Sequence, residues 1–340
     1  MKKILISSVL VLSLFALGLF ATSCSVTSGG GSSVKFPYIY CGNNGDNSVL
    51  VINGTTNITV ESISLGSLAP YAIAASPDGD KIYVANGSEN LLVIDTASND
   101  LEPSIIYIPH SNQSRGMAVS KDGDCLYLTT AVGTTEFIKH TFSPSSNKAL
   151  VLQGYGERIA LNPGSTKAYV CINNSYTIEV VDLSGMTVDS SITLANHPWD
   201  IAIKDGYAYV AMSSAFQVIA KVDLSDTSSI SYISVGPGSD YRGIVCIPGQ
   251  DKIYVANSIA AGEIAVISAE AFLNIATTIT STELSLPYFM AATPKYAYVY
   301  DGTFNHEKIV VIDVITDNIE TYIPGIVSYN DFNNPVVVYK

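Results

Sequence analysis

The chain holds three arginines and one tryptophan, and they fall in matching places of a repeated pattern. Arg115, Arg158, Arg242 and Trp199 lie in or beside turn-rich segments reading "PHSNQSRG", "GYGERI", "GPGSDYRG" and "ANHPWD". Three further segments, "GSLAPY", "LSLPYF" and "SYNDFNNP", complete the set. The corresponding position then runs Tyr71, Arg115, Glu157, Trp199, Arg242, Tyr288 and Asn334. An arginine fork supplies paired hydrogen bonds to a carboxylate or phosphate, and flat aromatic faces supply stacking area. With Arg158 beside them, these residues are the candidate binding site for a small anionic or sugar-like ligand. The same residue types also serve to fill the wide end of a channel, and the sequence leaves both roles open.

Catalytic and metal chemistry is harder to read. His110 and His197 lie in the same class of segment, but neither has an evident acid or serine partner, so no triad is legible. The "PDGD" and "KDGD" stretches lack the alternating oxygens and distal glutamate of a calcium loop, which makes Asp78, Asp80, Asp122 and Asp124 turn residues. Cys41, Cys125, Cys171 and Cys246 have no C-x-x-C spacing and no histidine at ligand distance. They read as small buried hydrophobes, with a disulfide as the alternative in an exported chain. No motif calls for a metal or a cofactor.

The elements that carry these segments repeat. "YVANGSENLLVID" at Tyr83 has cousins starting at Tyr40, Tyr127, Tyr169, Tyr209, Tyr254 and Tyr298, spaced 40 to 45 residues apart. Self-similarity at that period marks units that bury their faces on one another. Within the second unit four apolar, β-branched runs are separated by turns: "YAIAAS" (71–76), "KIYVAN" (81–86), "LLVID" (91–95) and "SIIYI" (104–108). Gly79 in the first turn is expected at positive φ. Four strands in about forty residues is the arithmetic of a propeller blade. The third unit, "YLTTAVGTTEFIKHTF", has lost the Asn and the Val-Ile-Asp and is the least regular.

The first unit lacks its first strand, and the chain ends on an orphan of that type, "NPVVVYK". The expected fold is therefore all-β: a seven-bladed β-propeller of four-stranded antiparallel blades over residues 37–340. The C-terminal strand would complete the first blade and leave no open sheet edge. A composition of 47% hydrophobic and only 14% charged residues suits strands buried on both faces.

The Tyr-Val-Ala-Asn core, the trailing Val-Ile-Asp and the intervening "SPDG" resemble the YVTN-family propeller repeat of bacterial and archaeal surface proteins, which is related to seven-bladed lactonase-like propellers. The resemblance spans residues 37–340 and implies fold more than activity. It also implies an alternative to a binding or interaction module: a lactonase-like hydrolase in which Glu157 activates water while Arg115 and Arg242 hold an anionic sugar lactone.

Residues 1–23, "MKK" followed by an apolar run, have the form of an export signal. The run ends in "ATSC", which resembles a bacterial lipobox with alanine in place of the preferred leucine. Cys24 is then the lipid-attachment residue, with ordinary cleavage or an uncleaved anchor as the alternative. Residues 24–36, rich in Gly and Ser, form a flexible tether. These features predict a lipid-anchored protein of the cell envelope, facing the periplasm or the cell surface, whose partner is an envelope protein or a small ligand. Loss of the signal removes Lys2 and Lys3 and leaves a net charge of about −15. Such a charge argues against nucleic acid as a partner, because phosphate binding needs clustered Lys and Arg. A monomer is expected.

Overall fold

The structure, a computed structural model, describes residues 37–109, 114–130, 135–213, 218–234, 240–258, 262–302, 306–327 and 337–339. Asn334, His110, Cys24 and all of residues 1–36 lie outside the described residues. Seven antiparallel sheets follow one another along the chain, each running in simple order from first to fourth strand. The first strands are Pro70–Ala75 in blade 2, Ser114–Val119 in blade 3, Gly156–Leu161 in blade 4 and His197–Lys204 in blade 5. Tyr241–Cys246 and Pro287–Ala292 serve blades 6 and 7. Val337–Tyr339 pairs antiparallel with Tyr38–Asn43 and so supplies the first strand of blade 1. The fold is a seven-bladed β-propeller closed by its C-terminal strand.

Closure is also visible in the core. Seven buried apolar clusters each draw on two neighbouring blades, and one joins Ile39, Cys41, Leu50 and Ile52 of blade 1 to Tyr296, Tyr298, Tyr300 and Ile309 of blade 7. The hydrophobic effect therefore acts between blades, at about 1.5–3 kcal/mol for each large apolar side chain fully buried.

The signature tyrosine works at this interface. Tyr40 donates its hydroxyl to Asn99 Oδ1 of the next blade at 2.7 Å, and Tyr298 donates to Asn57 Oδ1 across the ring closure at 2.7 Å. Tyr209 donates to the Ala269 carbonyl at 3.0 Å, and Tyr254 to Asp317. Asn57, Asn99 and Asp317 all take positive φ at the end of a hairpin turn. The trailing aspartate makes that turn: Asp95 Oδ1 accepts the Ala97 amide at 2.7 Å and Asp313 Oδ1 the Ile315 amide at 2.9 Å. Blades 1, 6 and 7 thus hold both a latch and a catch.

Gly79 has φ 73°, and Asp78 and Asp122 cap their turns by accepting the Asp80 and Asp124 amides at 3.0 Å. The four cysteines are free, Cys41 and Cys171 fully buried, Cys125 and Cys246 half-buried. Blade 3 forms despite its divergent sequence, with Glu136–Phe142 paired along its length to Ser145–Val151. The fourth strand of blade 2 is a correction: the expected 104–108 run is two short pieces, Asp100–Leu101 and Ile106–Tyr107. Pro103 stands between them, and proline has no amide to give to the ladder.

Candidate functional site

The first strands pack side by side around the central axis, so the residues that open them surround one end of the channel. In blades 2 to 7 the pairing of the first with the second strand carries an irregularity at this point. The registers break between Pro70 and Ala72, Gly156 and Ile159, Pro198 and Asp200, Tyr241 and Gly243, and Pro287 and Met290. In blade 3 the break falls opposite Thr129 and takes in Arg115 and Gly116. Tyr71, Arg115, Glu157, Arg158, Trp199, Arg242 and Tyr288 are therefore among the bulged residues, with Gly116 and Phe289. A β-bulge leaves one residue out of the ladder and re-aims its side chain, which is how a strand end turns a residue toward a site.

The structure gathers these residues into two groups. In the first, Arg115 Nη1 lies 2.8 and 3.0 Å from the two oxygens of Glu157, which is buried. Arg158 donates to the Arg115 carbonyl at 2.6 Å and lies over the Phe289 ring at 3.8 Å, reaching from blade 4 to blade 7. Arg158 therefore fills the channel. In the second group, Arg242 Nε donates to Asp240 Oδ2 at 2.7 Å and its guanidinium lies 4.4 Å from the Trp199 ring centre and 5.9 Å from that of Tyr288. Trp199 Nε1 donates to Ser213 Oγ. Tyr71 stands apart, half-buried, with its ring against Gly87.

Sequence reasoning missed Asp200, Asp240 and Phe289. Asp200 accepts the Ile201 amide at 2.9 Å and the Ile244 amide of the next blade at 3.0 Å. Burial pushes its carboxyl up to about 6, against the opposing pull of Arg158 and of the two amides. The signal was available: an aspartate directly after Trp199, at the head of an apolar strand. Phe289 likewise follows Tyr288, in a bulge two residues long.

The wall around these groups is tight. A Cβ on Gly243 would stand 1.7 Å from the Tyr288 carbonyl oxygen of the neighbouring blade, so only glycine lets the two first strands approach. Two polar atoms at the mouth, Arg115 Nε and Asp240 Oδ1, are buried without a hydrogen-bond partner among the described residues. Groups of this kind are uncommon and call for an explanation. His197, at the head of the blade 5 strand, has Nδ1 2.8 Å from the Asn173 carbonyl and its ring 4.2 Å from that of Tyr176.

The chain matches no family model and no curated protein. Among solved structures it is similar in fold to dihydro-heme d1 dehydrogenase NirN in complex with DHE, at TM-score 0.62 and 16% identity over 88% of this chain and 74% of that one. It is also similar to Kuenenia stuttgartiensis hydrazine synthase, at TM-score 0.63 and 17% identity over 75% and 86%. A functionally unknown protein from Desulfotomaculum acetoxidans aligns at TM-score 0.71 and 12% identity over 89% and 98%. At such identities the likeness is one of fold alone, and what it shows is the propeller.

Proposed function

We propose that this propeller is a lipid-anchored binding module of the cell envelope, of the YVTN-repeat type, with its site at the channel mouth. The ligand is a small anion bearing hydroxyl groups, such as a sugar acid. The observation that carries this reading is the pair of buried, unpartnered atoms at the mouth, one a donor and one an acceptor. A carboxylate oxygen satisfies Arg115 Nε, and a hydroxyl satisfies Asp240 Oδ1. Trp199, already stacked on Arg242, supplies apolar area for a sugar face, with the buried Tyr288 behind Arg242. Binding is favoured over lactone hydrolysis because both Glu157 oxygens already accept from Arg115 Nη1, so neither is turned to a water that it would have to deprotonate.

Trp199 is the sole tryptophan and therefore a built-in reporter. Titrating the detergent-solubilised chain with glucuronic acid should give a saturable change in its emission, lost in Arg115→Ala and Arg242→Ala. A folded protein that responds to no uronic acid, sugar phosphate or lactone sinks the reading. Anchoring has its own test: incorporation of labelled palmitate should disappear in Cys24→Ala.

A further inference from the structure

Blade 1 and blade 4 contain the same short turn between their second and third strands. In blade 1 the single 3-10 turn Asn44–Asp46 ends on Asn47, at φ 50° and ψ 48°. In blade 4 the turn Asn173–Ser175 ends on Tyr176, at φ 57° and ψ 34°. The supporting contacts also correspond: Asn44 Nδ2 donates to the Pro70 carbonyl of the next blade at 3.3 Å, and Asn173 Nδ2 to the Pro198 carbonyl at 3.2 Å. Asparagine tolerates the left-handed region, whereas for a bulky side chain it is a strained conformation.

Three large residues adopt positive φ among those described: Met186, Phe272 and Tyr176. Met186 and Phe272 are 4% and 7% exposed, so packing between blades holds them there. Tyr176 is 44% exposed. Its ring is far less enclosed than theirs, yet the strain is kept, and strain of that kind gathers at functional sites.

The ring also has a defined setting. Among the described residues its close aromatic neighbour is His197, in edge-to-face contact, and His197 is two residues before Trp199 on the same strand. Because the Asn173 carbonyl can only accept, the neutral imidazole carries its hydrogen on Nδ1, leaving Nε2 as an acceptor. Beside this turn, Tyr155 is 51% exposed, and its amide is clasped by Asn174 Oδ1 at 2.8 Å. Gly154 makes the clasp fit, since a Cβ there would stand 2.2 Å from Asn174 Oδ1. An exposed aromatic face, a hydroxyl acceptor and a second half-exposed tyrosine thus continue outward from the mouth.

We infer that the ligand is an acidic oligosaccharide, its charged unit seated in the mouth and a neighbouring sugar ring stacked on Tyr176 with a hydroxyl donated to His197 Nε2. The inference rests on the proposed mouth site and extends it to the rim. Tyr176→Asn is the natural probe, because it installs the residue that blade 1 uses in the same turn.

Affinities of the detergent-solubilised chain for glucuronic acid and for a galacturonic acid tetramer, measured by calorimetry, test it. The tetramer should bind about tenfold more tightly than the monosaccharide, the margin expected for one added stacking contact. Tyr176→Asn should abolish that margin, leave the monosaccharide affinity unchanged and melt no lower than wild type, while Tyr176→Phe keeps the margin. Equal affinities in wild type, or a margin that survives Tyr176→Asn, overturn the inference and leave the mouth site standing. A lowered melting temperature for Tyr176→Asn shows the ring to be structural and also overturns it. If neither sugar binds, both readings fail together.

Discussion

At one end of the propeller Tyr40, Tyr209, Tyr254 and Tyr298 reach in turn to the hairpin of the next blade, and three of the four catches are an Asn or Asp at positive φ. At the other end the matching positions of successive blades hold Tyr71, Arg115, Glu157, Trp199, Arg242 and Tyr288. The latch tyrosines sit on the second strands of their blades and the mouth residues on the first. Repetition at the first end means that one solution to blade packing is reused around the ring. Variation at the second means that no single packing solution is repeated there, as the proposed ligand site requires.

The largest effect is expected at the wall of the mouth, where two first strands meet. Gly243→Ala places a methyl group 1.7 Å from a backbone oxygen of the next blade, and neither strand can move without disturbing the ring. The cost should be about 3 kcal/mol or more, seen as a lower urea midpoint or a failure to fold. A variant of wild-type stability would mean that the first strands slide freely, and the mouth would have no fixed geometry.

The latch end comes next. Asp317 accepts from Lys252 at 2.8 Å and from the buried Tyr254 hydroxyl. Asp317→Ala strands that hydroxyl at a blade interface and should cost about 1–3 kcal/mol in chemical denaturation. A loss below about 0.5 kcal/mol would reduce the repeated tyrosine to packing alone.

The same contrast explains what could be read in advance. The period, the four-strand grammar and the C-terminal closure were legible because repetition writes the same demand seven times, and a chance match at one blade is corrected by the others. The mouth residues were legible as a set, since the repeat identified the equivalent positions. Their partners were not: the bulges shift Asp200 and Phe289 by one residue, and the pairing of Arg158 with Phe289 joins blades three apart in the sequence. The break in the fourth strand of blade 2 is written only in Pro103, a single local signal that the sevenfold pattern masks.

A smaller effect separates filler from lining within the mouth. Folding raises the Asp200 carboxyl from 3.8 to about 6, so the folded state favours its protonated form. Its contribution to stability is full below about 3.8 and lost as pH rises through about 6. The difference in unfolding free energy between wild type and Asp200→Asn should therefore decline as pH climbs across that window and level off above it. A difference independent of pH would place Asp200 in contact with bulk water.

The smallest effect on stability is the most telling for function. Arg242 and Asp240 keep 21% and 26% of their side-chain surface exposed, so their ion pair is a partly solvated one worth about 0–1 kcal/mol. Arg242→Ala should leave the denaturation midpoint nearly unchanged while removing the sugar-acid response of Trp199, whereas Asp317→Ala does the reverse. If Arg242→Ala instead destabilises the fold as much as Asp317→Ala, the stack of Arg242 on Trp199 is part of the scaffold. The two ends of the propeller would then share one purpose, with the mouth closed by design against any ligand.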